Sequence, residues 1–135
     1  MWQRIQTVYL ALAVLANALL LAGLPIMTAA DATKVYAKDD MLFLILIAIA
    51  TMDALVAIFI YKNRRVQVIV GRIAIVTAIV AVIKMLYTFI TIQKSTAYVS
   101  DIGMWMPLVF VVLVALANKA IIRDEEKVRA ADRIR

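Results

Sequence analysis

Four long apolar runs constrain this chain more than any other feature of its sequence. They cover residues 7–27, 41–61, 68–91 and 102–122. A helix needs about 20 mostly apolar residues to cross the hydrocarbon core of a bilayer, and each run reaches that length. Since 66% of the chain is hydrophobic, against roughly half of a soluble domain, the sequence predicts an all-α fold. We expect one membrane domain, a bundle of four transmembrane helices.

The composition argues against most enzyme classes. The chain has no cysteine, no histidine and only three glycines. Thiol chemistry, nearly all transition-metal sites and phosphate-cradling glycine loops therefore lack their usual residues. The serines, at positions 95 and 100, have no histidine to act as a base. We expect no metal, no cofactor and no catalytic site, and interpret the protein as not an enzyme.

The distribution of basic residues predicts the orientation. Of the 15 Lys and Arg residues, four lie on one side of the membrane: Lys34, Lys38, Lys84 and Lys94. The other eleven lie with the two termini and the "KNRR" turn between the second and third runs. The positive-inside rule therefore places both termini in the cytoplasm. The net charge of +6 is explained by this topology and by anionic lipid, and we expect no binding to nucleic acid.

The first run has some features of a secretory signal, because Arg4 precedes it and "MTAADA" follows it. Its length of about 20 residues exceeds the 7–15 of a signal's apolar region. We therefore expect it to be an uncleaved helix.

Local signals position the helix ends. Asp39 and Asp40 stand where they can cap the second helix, and Ser100 or Asp101 where it can cap the fourth. Small residues recur on single helical faces, which favours close helix packing in lipid. They are Ala50, Ala54 and Ala57 in the second run, and Gly71, Ala74, Ala78 and Ala81 in the third. This pattern leaves open whether the partner helix belongs to the same chain.

Two groups of polar residues are candidates for specific roles. The first group are candidate topology or lipid-headgroup anchors: Arg4, Lys62, Arg64, Arg65 and Arg72. The second group lies within the apolar runs, where an ionisable side chain is costly: Asn17, Asp53 and Lys84. By depth, Asn17 is the best-matched partner for Asp53, and we favour a structural interhelical contact. Contact with a partner protein and proton coupling remain open alternatives for Asp53.

The terminal segment 123–135, "RDEEKVRAADRIR", favours a cytoplasmic extension of the last helix. Glu125 and Arg129 are spaced for an i,i+4 ion pair, and Asp124 with Lys127 and Arg129 with Asp132 for i,i+3 pairs. The segment is either a docking helix for a partner or a solvated extension that fixes topology. The candidate docking residues are Asp124, Glu125, Val128, Arg129, Asp132 and Arg133.

Three segments resemble a known family: "MWQRIQTVYL", "KNRRVQVIVGRI" and "ANKAIIRDEEKVRAADRIR". They are similar to an uncharacterised family of small four-helix inner-membrane proteins from Bacteroidota, described as a domain of unknown function. The resemblance covers essentially the whole chain. It implies four spans and a bacterial inner membrane, and it carries no activity, substrate or functional residue.

Two functions fit these features. The first is an accessory or scaffold subunit that binds the bilayer and other membrane proteins, or a second copy of itself. The alternative is a minimal proton-coupled transporter of small molecules, working as a homodimer with Asp53 as its coupling site. Small multidrug-resistance exporters are similar in size and span number, but their essential glutamate lies in the first span, where this chain has Asn17.

Overall fold

The computed structural model describes residues 3–94 and 97–134, with side chains from residue 5 onwards. These residues form four α-helices: α1 (Gln3–Ala22), α2 (Met41–Phe59), α3 (Arg64–Gln93) and α4 (Ile102–Arg133). Each is long and apolar enough to cross a membrane. They also form three short strands: β1 (Pro25–Ala29), β2 (Lys34–Tyr36) and β3 (Tyr98–Ser100). The predicted four-helix fold is confirmed, and the strands are an addition to it.

The helices pack in a closed ring. α1 contacts α2, α2 contacts α3, α3 contacts α4, and α4 returns to α1. We call the end with the start of α1, the α2–α3 turn and the last turns of α4 the termini end. The opposite end carries the strands and is called the sheet end.

The small residues fill the centre of this ring. Ala50, Ala54 and Ala57 of α2 share one buried cluster with Ala74 and Ala78 of α3. Side chains of this size let the two helix backbones approach closely. The partner helix that the sequence left open therefore belongs to the same chain.

The sheet end is closed by an antiparallel sheet in the order β2-β1-β3. α1 ends at Ala22, before the predicted end of the first span, because Gly23 has a φ of +130° and Pro25 cannot continue a helix. Ile26 and Met27 follow in β1 and pack into the core, each at most 3% exposed. Ile26 and Met27, which were predicted to lie in a transmembrane helix, thus belong to a strand that covers the bundle.

Capping at this end follows the prediction in part. Asp40 accepts a hydrogen bond from the Phe43 amide and caps α2. Asp101, rather than Ser100, caps α4 by accepting from the Ile102 amide at 2.8 Å, and it also accepts from the Thr28 hydroxyl. These two donors hold the pKa of Asp101 below its usual value. Asp39 instead accepts from the Tyr36 amide at 2.7 Å in the turn before α2.

Lys84 forms an ion pair with Asp40 and also donates to the Thr88 hydroxyl at 3.0 Å. The pair joins α3 to the start of α2, and both side chains are 28% exposed. The Lys84 ammonium, followed by the Phe43 amide, lowers the pKa of the Asp40 carboxyl. The intramembrane candidate Lys84 therefore has a structural partner at the sheet end.

Asp40→Asn should lower the free energy of unfolding by about 1 kcal/mol at neutral pH, because asparagine still caps but cannot neutralise Lys84. The lowered pKa of Asp40 gives stability that is present above about pH 4 and is lost as the pH falls through the folded-state pKa. The difference between wild type and variant should therefore shrink on acidification. Denaturant titrations in detergent at several pH values measure it, and a difference that grows towards low pH would contradict the assignment.

Candidate docking site at the termini end

The last turns of α4 extend beyond the bundle at the termini end. Ile121 is fully buried in the core, whereas every described residue from 126 to 134 is exposed. Val128 follows Ile121 by seven residues and so lies on the same side of the helix, yet it is 47% exposed. The core-facing side of α4 therefore continues past the other helices with an apolar residue on its surface.

Ion pairs fix the base of this extension to α3. Arg64 contacts Asp124 at 3.1 Å, and both side chains are at least three-quarters buried. Arg65 lies 3.8 Å from Glu125, which also accepts from Arg129 at 2.6 Å. The Glu125–Arg129 pair was predicted from the i,i+4 spacing.

The α2–α3 turn determines this geometry. Asn63 caps α3 by accepting from the Val66 amide at 3.4 Å, so that the helix begins at Arg64. The two arginines that follow are then presented to the neighbouring α4. Of the predicted anchors, Arg64 and Arg65 thus have protein partners, Lys62 is exposed, and the side chain of Arg4 lies outside the described residues.

A cleft of about 350 Å³ lies between the α2–α3 turn and α4. We call it the basic cleft, and it is lined by Lys62, Asn63, Arg64, Arg65, Glu125, Val128 and Arg129. Four of these side chains are cationic and one is acidic. With Val128 on its wall, the cleft offers positive charge beside an apolar contact.

The remaining docking candidates, Asp132 and Arg133, lie beyond the cleft on the exposed extension. Asp124 and Glu125 serve instead to hold α4 against α3. Of the docking residues predicted from the tail, the acidic residues Asp124 and Glu125 therefore form contacts within the chain.

Three buried polar side chains near this end were not identified from the sequence: Gln6, Gln67 and Asn118, each at most 7% exposed. Gln67 donates to the carbonyl oxygen of Ala57 at 3.0 Å, which satisfies one of the free carbonyls at the end of α2. Asn118 packs over Gly71, where a Cβ would lie only 2.3 Å from its Oδ1. An amide inside an apolar run, for Asn118, or directly before one, for Gln6 and Gln67, was the available signal.

The expected contact between Asn17 and Asp53 is not formed. The fully buried Asn17 donates from its side-chain amide to the Thr51 hydroxyl at 3.0 Å, and Thr51 donates to the Ile47 carbonyl. Residues 51 and 53 lie about 200° apart around the helix, so that α2 turns Thr51 rather than Asp53 towards Asn17. Asp53 is half-buried, and its Oδ2 has no hydrogen-bond partner among the described residues.

Asp53→Asn should change the free energy of unfolding by less than about 0.5 kcal/mol. The substitution keeps the side-chain shape and breaks no hydrogen bond to Oδ2, and single intramembrane hydrogen bonds contribute only about 0.6 kcal/mol. Thr51→Val is the matched control, because it removes the acceptor of a bond that does form. Equal insertion and stability of the Asp53 variant would agree with the absence of a contact to Oδ2, and a loss as large as that of Thr51→Val would contradict it. Loss of a pH-dependent transport signal from a folded variant would favour a coupling role for Asp53.

A comparison with known protein families identifies the family of this chain. The model of a domain of unknown function, DUF4293, matches residues 2–134. The chain belongs to this family. No curated protein and no solved structure matches it. Membership confirms the resemblance to a family of unknown function.

Proposed function

We propose that this DUF4293 protein is a non-catalytic accessory subunit of a bacterial inner membrane, with both termini in the cytoplasm. It binds a partner protein through the basic cleft and the exposed end of α4. The observation that carries the proposal is the exposure of Val128, on the side of α4 that is otherwise core. The Arg64–Asp124 pair holds this surface in place, so binding would not require the helix to be ordered first.

The chemistry of the cleft specifies the kind of partner. Lys62 and Arg65 present cations at its rim, and Arg65 is 78% exposed with only a loose contact to Glu125. An acidic cytoplasmic segment with one apolar side chain complements them. Such a segment would place its carboxylates at Lys62 and Arg65 and its apolar group on Val128. Charge complementarity of this kind sets which partner binds and how fast.

The same packing reduces the support for a homodimeric transporter. The alanine rows that could join two copies are used between α2 and α3 of one chain. The unpartnered Oδ2 of Asp53 is the observation that still favours transport. The Asp53→Asn variant described above separates the two functions.

The proposed orientation can be tested with single cysteines, because the chain has none of its own. Ala97 and Ala131 are both exposed and lie at opposite ends of the bundle, whereas Ala37 at the sheet end is only 2% exposed. An impermeant thiol reagent added to intact spheroplasts should label Ala97→Cys and leave Ala131→Cys unlabelled. The reverse labelling would contradict a cytoplasmic location of the termini.

The docking proposal predicts a partner that survives mild detergent extraction at fixed stoichiometry. Lys62→Glu with Arg65→Glu should reduce its recovery at least tenfold, as should removal of residues 126–135, a deletion that leaves Asp124 and Glu125 in place. Lys34→Glu with Lys38→Glu is the matched control, since it makes the same charge change at the sheet end. Full retention of the partner by the cleft variant, or equal loss from the control, would contradict the proposal.

A further inference from the structure

A second cavity, of about 540 Å³, lies between α3 and α4. We call it the α3–α4 groove. Its walls are apolar, formed by Ile75, Ala115 and Ile122. Its charged lining comprises Arg72, Lys119, Arg123 and Glu126, three cations and one acid. None of the three cations has an ion-pair partner among the described side chains of residues 5–94 and 97–134.

The register of α3 and α4 places these three cations at successive depths along the bundle. The two antiparallel helices set Arg64 against Asp124 and, about two turns further into the bundle, Gly71 against Asn118. At 1.5 Å per residue, Arg72 begins roughly 12 Å deeper than Arg64. Lys119 lies roughly 7 Å deeper than Asp124, and Arg123 is nearly level with it. The three groups therefore span the depth from the acyl chains to the headgroups.

Arg72 is the deepest of the three cations, and because side chains tilt towards the N-terminus of their helix, the rule for α3 directs it towards the termini end. Its side chain lines the same groove as Glu126, which is the lining residue of α4 nearest the termini end. Long basic side chains extend along apolar surface in this way to bring their charge to the membrane interface. The deepest part of the groove, with Ile75 and Ala115, is therefore apolar, and the part nearer the termini end is cationic, with Ile122 among the cations.

Asn118 lines the groove between Arg72 and Lys119 and is only 7% exposed. Its buried Oδ1 packs over Gly71, where a Cβ would lie 2.3 Å away, so this oxygen faces α3 rather than a ligand in the groove. The charged contacts that the groove offers therefore come from Arg72, Lys119, Arg123 and Glu126.

We propose that the α3–α4 groove binds one anionic phospholipid. Its phosphate lies among Arg72, Lys119 and Arg123, and one acyl chain lies along Ile75 and Ala115. The headgroup hydroxyls donate to Glu126. A free phosphate would satisfy the cations but would leave the apolar walls uncovered, so the groove selects a lipid over a soluble anion.

Native mass spectrometry of the delipidated protein tests this site. The probes are phosphatidylglycerol, phosphatidylcholine with the same acyl chains, and inorganic phosphate. We expect one phosphatidylglycerol to bind preferentially over phosphatidylcholine, and millimolar phosphate to leave it bound. The variant Arg72→Gln/Lys119→Gln/Arg123→Gln should bind phosphatidylglycerol at least tenfold more weakly.

Two further variants make the result specific. Lys34→Gln/Lys38→Gln/Lys94→Gln removes the same charge at the sheet end, outside the groove, and should weaken binding less than threefold. Ala115→Trp keeps every charge, fills the groove on its lipid-facing wall, and should weaken binding as strongly as the triple groove variant. Equal losses in both triple variants, undiminished binding to Ala115→Trp, or displacement of the lipid by phosphate would each overturn the proposal.

Discussion

Gly103→Ala is expected to lower the free energy of unfolding by about 3 kcal/mol, at the upper end of the usual cost of overpacking. Gly103 lies in the first turn of α4, directly against β1. A Cβ at this position would lie 2.4 Å from the carbonyl oxygen of Pro25 and 2.8 Å from its carbonyl carbon. Both are backbone atoms, so no change of side-chain rotamer can relieve the contact. Either β1 or the start of α4 must move.

Denaturant titration in detergent measures this loss. The exposed neighbour Ser100 is the control, because Ser100→Ala alters the same corner of the molecule without adding an atom. It should stay within about 0.5 kcal/mol of wild type, as surface substitutions usually do. A Gly103→Ala variant as stable as the control would show that β1 does not lie against α4.

Gly71→Ala should cost about 2 kcal/mol, for a different reason. The added Cβ would meet three side-chain atoms of Asn118, at 2.3 Å from Oδ1, 2.8 Å from Nδ2 and 2.9 Å from Cγ. Because Asn118 is 93% buried, counting from its 7% exposure, it can turn away only by disturbing the α3–α4 contact. The measurement is again the free energy of unfolding in detergent.

The two glycine sites differ in whether a second substitution can rescue them. Asn118→Ala removes all three atoms that the new Cβ would meet, so the double variant Gly71→Ala/Asn118→Ala should recover most of the stability lost in Gly71→Ala. A double-mutant cycle isolates this coupling. Additive effects of the two substitutions would contradict the contact. Truncating a side chain near Gly103 offers no comparable rescue, since its neighbours there are backbone atoms.

The four helices followed from the sequence because hydropathy and length determine a membrane span almost by themselves. The three strands did not. Residues such as Ile26 and Met27 are expected to be apolar both in a strand that covers the bundle and in a helix within lipid. Hydropathy therefore cannot distinguish a strand from a helix at these positions. The helix stop formed by Gly23 and Pro25 was the signal that distinguished them.

In the candidate site, only the contacts between residues close together in the sequence could be predicted. The i,i+4 spacing of Glu125 and Arg129 predicts their ion pair without knowledge of the fold. The pairing of Arg64 with Asp124 depends on α3 and α4 being neighbours, and residues 60 positions apart carry no such information in one sequence. The contact of Asn17 with Thr51 rather than Asp53 likewise depends on how α2 is rotated in the bundle.

Site-specific photo-crosslinking in living cells tests the proposed docking surface most directly. A photoreactive amino acid at Val128 is compared with the same probe at Val112, which is 57% exposed within the apolar part of α4. We expect one discrete protein adduct from position 128, abolished by Lys62→Glu with Arg65→Glu, and no protein adduct from position 112. An adduct from position 112 alone, or one at position 128 that is unaffected by the charge reversals, would contradict docking at the basic cleft.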